Sequence, residues 1–143
     1  MIYSSKSDGE GSPRGLDGKD DPKGEQMKIT VFGTTEELES VKRAAEEIPM
    51  LQYRKLLWEN AQDYDALMRG GADADICVIT MEGAEGMEGA MLLHHVRPEC
   101  PVIWFSSDPG FGAQARRLQC AWFGEKPITH AAMTQAMTNA IQR

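Results

Sequence analysis

The spacing of apolar positions changes several times along the chain, and each change marks an element. Lys28–Phe32 (KITVF) is β-branched and apolar and closes on Gly33, which predicts a strand. Thr34 or Thr35 then offers an N-cap, and Glu36, Glu37 and Glu39 suit the start of a helix. Leu38, Val41, Ala44, Ala45 and Ile48 recur at helical spacing until Pro49 stops the pattern. Gln52–Trp58 reads as a second strand, carried by Tyr53, Leu56 and Leu57. Asn60 is expected to cap a short helix through Arg69, with Tyr64, Leu67 and Met68 inward and Gly70-Gly71 beyond its end. Ile76–Thr80 (ICVIT) is a continuous apolar run, the pattern of a strand covered on both faces. Met81–Gly89 contains three glycines and reads as a loop, followed by a helix over Ala90–Val96 that ends at Arg97-Pro98. Val102–Phe105 (VIWF) is the fourth strand, and the turn-rich Ser106-Ser107-Asp108-Pro109-Gly110 follows it. Ala113–Leu118 reads as a helix, Ala121–Phe123 as a short strand, and Thr129–Ile141 as a last helix.

Five strands interleaved with five helices imply an α/β fold with a parallel sheet and helices on both faces. The expected form is a flavodoxin-like (βα)5 three-layer sandwich with strand order 2-1-3-4-5. Ligands of such sheets sit at the carboxyl ends of the strands, near the switch point. That directs the search for chemistry to Gly33–Thr35, Thr80–Gly83, Ser106–Asp108 and Glu125–Pro127.

Composition divides the chain. Residues 1–26 hold five glycines, two prolines and ten charged residues, too little apolar surface to offset the entropy of ordering. They are expected to form a disordered tail, with one domain over residues 27–143. The chain's net charge of −7 divides into −2 for the tail and −5 for the domain, an acidic balance that argues against direct nucleic-acid binding. No apolar stretch is long enough for a membrane helix and no signal-peptide pattern follows Met1, so a cytoplasmic location is expected. Cys77, Cys100 and Cys120 are odd in number and lie in apolar runs, which fits buried thiols better than a disulfide framework.

Three stretches resemble the receiver domain (CheY-like) of bacterial two-component response regulators. They are MKITVFGTTEE, DICVITMEGAEGMEGAMLLHHVR, and PVIWFSS followed by AWFGEKPIT. The segment ARRLQCAWFGEKPI is similar to receivers that precede LytTR-type DNA-binding domains. The resemblance implies a signalling domain that is not an enzyme and needs no resident cofactor. It also implies positions for phosphotransfer. Aligned through Gly89, the phosphoacceptor aspartate of the family corresponds to Met81, whose thioether cannot form an acyl phosphate. The family's metal-binding acidic pair corresponds to Gly33 and Thr34, which supply no carboxylate for magnesium. Ser106 matches the hydroxyl residue that senses the phosphate, Lys126 before Pro127 matches the lysine that pairs with it, and Phe123 matches the aromatic switch position. Lys126 is expected to pair with Glu82 or Asp108 instead of a phosphate, and Lys126-Pro127 to serve backbone geometry. Glu82 is a poor substitute acceptor, and Glu36 is expected to complement the helix dipole. The expectation is therefore a pseudo-receiver with its phosphotransfer chemistry removed.

Other constellations are weaker. His94 and His95 are adjacent, so on a helix they point about 100° apart, which spoils joint ligation with Cys100. Ser106, His130 and Asp108 could be assembled into a triad on paper, but no nucleophile elbow is present. Two function classes stand. The first is a protein–protein module whose partner is an output domain, a kinase or a second receiver. Its expected dimer face is the fourth helix, fifth strand and fifth helix (α4-β5-α5), with Gln114, Arg117, Trp122, Thr134 and Gln135. The second is a flavodoxin-like small-ligand or nucleotide-binding protein or enzyme using the same strand ends.

Overall fold

The structure is a computed structural model that describes residues 26–51 and 54–142. Of the tail expected over residues 1–26, residues 1–25 lie outside the described residues, as do Gln52 and Tyr53 of the expected second strand, while Gln26 belongs to the first strand. Strand β1 (Gln26–Phe32) leads to helix α1 (Thr35–Glu46), followed by β2 (Lys55–Ala61) and α2 (Tyr64–Gly71). Then come β3 (Ile76–Ile79), α3 (Gly83–Val96), β4 (Val102–Ser106), α4 (Gly112–Arg117), β5 (Trp122–Glu125) and α5 (His130–Ile141). The strands form one parallel sheet in the order β2-β1-β3-β4-β5, the flavodoxin-like arrangement that alternating strands and helices impose.

Alternation within the central strands gives each face its own core. Ile76 and Val78 of β3, with Ile103 and Phe105 of β4, pack against Val41, Ala45, Met133 and Met137 from α1 and α5. Cys77 and Ile79, with Val102 and Trp104, turn the other way, toward Leu67, Leu93 and Ala115 from α2, α3 and α4. The continuous apolar runs of β3 and β4 follow from this two-sided burial, since all nine residues of the two strands are buried. Trp104 is the largest fully buried side chain, held between the Phe111 ring at 5.4 Å and the Phe123 ring at 5.5 Å.

Two expectations are corrected. The stretch Met81–Gly89 is not a loop, because α3 begins at Gly83 and runs unbroken to Val96. Gly86 and Gly89 lie on the helix's inner face, where side chains would collide. A Cβ on Gly86 would stand 2.1 Å from the Met81 carbonyl oxygen, and one on Gly89 would stand 2.7 Å from the Phe32 ring. Asn60 is not a helix cap. It lies in β2, and Asp63 caps α2 by accepting from the Ala66 N–H at 2.8 Å.

Candidate functional site

The carboxyl ends of β1, β3, β4 and β5 meet around Lys126. The β4–β5 register sets Ser106 beside Glu125, and the Lys126 N–H donates to the Ser106 carbonyl at 2.9 Å, which brings the lysine to the sheet's C-terminal edge. The Lys126-Pro127 peptide is cis. The ammonium donates to three acceptors: the Thr80 carbonyl at 2.6 Å, Glu37 Oε2 at 2.5 Å and Glu82 Oε2 at 2.7 Å. A lysine has three N–H donors, so this one is fully engaged.

Glu82 is the N-cap residue of α3 by position, yet its side chain caps nothing there. It reaches instead across to β4's end. Oε1 accepts from the Ser107 N–H at 3.2 Å, and Oε2 accepts from the Ser107 hydroxyl at 2.8 Å as well as from Lys126. One carboxylate thus collects a backbone N–H, a hydroxyl and an ammonium. Partial burial pushes the Glu82 carboxyl up, but the hydrogen bonds from Lys126 and Ser107 outweigh it and hold the group below the usual glutamate value. For Lys126, burial works against the charged form, while bonding to Glu37 and Glu82 prevails and raises it above an ordinary lysine.

Glu37 has a double role. Its Oε1 accepts from the Thr34 N–H at 3.5 Å while the Thr34 hydroxyl accepts from the Glu37 N–H at 3.2 Å, a reciprocal capping box. Its other oxygen holds Lys126. Thr34 is therefore the N-cap of α1, and Glu36 lies in that helix's first turn. Gly33 and Thr80 approach so closely that a Cβ at position 33 would stand 1.7 Å from Thr80 Oγ1. Thr80 is fully buried, its hydroxyl directed to the Phe32 carbonyl at 3.4 Å. Met81 is half-buried and packs with the cluster that holds Phe32 and Trp104. Ser106 is buried and its hydroxyl accepts from the Asp108 N–H at 3.0 Å, while Asp108 Oδ1 accepts from the Gly110 N–H at 2.8 Å. Phe123 is half-buried, edge-on to Trp104, and Pro127 is exposed.

The fold thus brings together Gly33, Thr34, Thr80, Glu82, Ser106 and Lys126, and of the two expected partners of Lys126 it selects Glu82. Ser107 falls inside the expected strand-end stretch Ser106–Asp108, whereas Glu37 and Asn60 contribute from outside the expected stretches. The Asn60 amide donates to the Val31 and Gly33 carbonyls at 3.1 and 3.0 Å and anchors the end of β1. The Thr34-x-x-Glu37 spacing was the available signal for Glu37, as a capping box. The other constellations are dispersed. His130 is paired with Glu47 at 3.2 Å, and the neighbour of Cys100 is Cys77, with sulfurs 3.8 Å apart. Pairing with the Cys100 thiol and then burial push the Cys77 thiol up. Among the described residues, no three His, Cys, Asp or Glu side chains converge as a metal-holding group, and no helix is long and apolar enough to cross a membrane.

No protein-family model and no curated protein matches the sequence. Solved structures do match in three dimensions. The BeF3-activated receiver domain of DrrB is similar with a TM-score of 0.64 at 14% identity, over 82% of this chain and 99% of that one. The signal receiver domain of the putative response regulator NarL from Mycobacterium tuberculosis is similar with a TM-score of 0.60 at 21% identity, over 83% and 99%. A CheY-like receiver domain protein from Methanospirillum hungatei gives 0.62 at 14%, over 82% and 94%. At these identities the likeness speaks for architecture, and the chain has the CheY-like receiver fold.

Proposed function

We propose that this chain is a receiver-like signalling module of the two-component kind that works through protein–protein contact without phosphoryl transfer. The observation that carries the reading is the position of the Glu82 carboxylate. It binds Lys126 and both the N–H and the hydroxyl of Ser107, the kinds of donor that would otherwise hold a phosphoryl group at these strand ends. An internal anion already occupies the place of the regulatory one. Whether the family's acceptor position is matched to Met81 or to the buried Thr80, the side chain there carries no carboxylate. Gly33 and Thr34 offer magnesium no acidic pair, and Thr80 leaves position 33 no room for one.

In this reading Lys126 is a structural cation and Glu82 its permanent counter-ion. The switch equilibrium is therefore biased by partners and not by phosphorylation. The partner is a kinase, an output domain acting on a process such as transcription, or a second receiver. The face expected to meet it holds Gln114 and Arg117 of α4, Trp122 of the edge strand β5, and Thr134 and Gln135 of α5. Incubation of the full chain with acetyl phosphate and magnesium, followed by intact mass, tests the reading. An unchanged mass is expected. A gain of one phosphoryl group that Glu82→Gln abolishes would overturn it.

A further inference from the structure

Helix α3 is built inside out. Its inner face is made of small residues, Gly86, Gly89 and Ala90 with Leu93, and these let it lie close against the sheet. Met91 and Val96, by contrast, are left outside. Among the described residues the exposed large hydrophobics are Leu57, Met91 at 44% and Val96 at 52%, so two of the three belong to this one helix. Met91 and Leu92 form the floor of an open groove of about 630 Å³, flanked by Tyr64 of α2 and Leu118 beyond α4. An apolar patch rimmed by polar residues, here Glu88 and His95, marks an interaction site.

Charge along the outer stripe points to what covers it. Glu88, Met91, Leu92 and His95 follow at i, i+3, i+4 and i+7, one continuous face with an acid at its N-terminal end and an imidazole at its C-terminal end. A parallel neighbour would set like against like. An antiparallel copy of the same stripe is self-complementary, as a two-fold interface requires.

We infer that α3 is a self-association surface, in which two copies of this chain pair their α3 helices antiparallel about an axis beside the Met91–Leu92 peptide. The 88-91-92-95 spacing then sets Met91 against the partner's Leu92 and Glu88 against the partner's His95. The imidazole N–H donates to the free oxygen of a carboxylate whose Oε1 already accepts from the Tyr64 hydroxyl at 2.6 Å. Tyr64 and Leu118 widen the apolar strip on either side. One helix face with such flanks buries an area at the low end of specific interfaces, under about 1,200 Å² in total, so the dimer is weak and concentration-dependent. This surface is separate from the strand-end cluster and does not depend on how that cluster works.

Sedimentation equilibrium of the full chain over a concentration series tests the inference. The mass should rise toward twice that of the monomer. Met91→Glu, which places a charge at the centre of an already exposed site, should weaken association about tenfold or more. Glu88→Lys and His95→Glu should each weaken it, and the double variant should return it to within about threefold of the original, because the charge pair is restored in reverse. Glu46→Lys, on α1 and outside both this helix and the α4-β5-α5 face, should leave it unchanged. A monomer at every concentration overturns the inference. So does a dimer that Gln135→Arg weakens and Met91→Glu does not.

Discussion

Replacing Lys126 by methionine removes the cation and keeps most of the side chain's volume. The lysine side chain is 15% exposed, and its ammonium has three contacts within 2.7 Å. Without it, Glu37 (23% exposed) and Glu82 (48% exposed) are left as two neighbouring anions, and the carbonyl of the buried Thr80 loses its donor. Breaking a fully buried ion pair costs about 3–5 kcal/mol, and an exposed one contributes about 0–1 kcal/mol. The cluster lies between these limits, and water screens the half-exposed Glu82, so its share is discounted. With the lost carbonyl bond included, the expected cost is about 2 kcal/mol. For a domain of this size that lowers the melting temperature by roughly 8 °C. Urea unfolding at pH 7, followed by tryptophan fluorescence, should show a lower midpoint with an unchanged slope. A double-mutant cycle with Glu82→Gln should return a coupling of about 1 kcal/mol, since each change removes the same interaction. A loss below about 0.5 kcal/mol for Lys126→Met, or strict additivity in the cycle, would refute the view of Lys126 and Glu82 as one interacting unit.

The pH dependence has a definite sign at both ends. Glu82 is held below its ordinary value of 4.5, so its contribution is present above that pH and is lost as pH falls through the lower folded value. Lys126 is raised above 10.5, so its contribution is present below that pH and lost as pH rises through the higher folded value. The stability difference between the parent chain and Glu82→Gln should therefore be flat from about pH 5 to 10 and shrink outside that window, as urea midpoints across pH would show. Gly33→Ala should cost about 1–3 kcal/mol by driving a methyl into Thr80 Oγ1, and Thr80→Ala should recover part of it, read by the same denaturation. Trp104→Ala should cost about 3–5 kcal/mol, because the ring is fully buried between Phe111 and Phe123.

The order of strands and helices was legible because each strand carries its own apolar signature. β3 and β4 read as continuous runs because both their faces are covered, and α1 and α5 show themselves by apolar period. The beginning of α3 was not legible by the same rule. Glycine lowers helix propensity, and three of them in nine residues favoured a loop, whereas the fold uses Gly86 and Gly89 as contact points where no side chain fits. Their spacing of three residues is itself the mark of a helical face. Asn60 failed differently. Its amide is as suited to bonding two carbonyls of a neighbouring strand as to capping a helix, and only the β1–β2 register decides between them.

At the strand ends, Gly33, Thr34, Ser106 and Lys126 could be named from the receiver resemblance together with the rule that such sheets carry sites at their strand carboxyl ends. Their partners could be named only in part. The pairing of Lys126 with Glu82 could be anticipated, since both follow the carboxyl ends of strands in one parallel sheet, β5 and β3, with β4 between them. The contributions of Glu37 and Ser107 depend on how α1 and the turn after β4 lean toward the cluster, which no local pattern encodes.

The central claim is that the Glu82 carboxylate already fills the anion position beside Lys126 and Ser107. Its most direct test is an amide and lysine-side-chain NMR titration of the full chain with BeF3⁻ and magnesium. The account predicts no shift at Ser107, Thr80 or the Lys126 ammonium up to millimolar analogue. Saturable shifts at these three positions would contradict it, because the analogue could reach them only by displacing Glu82.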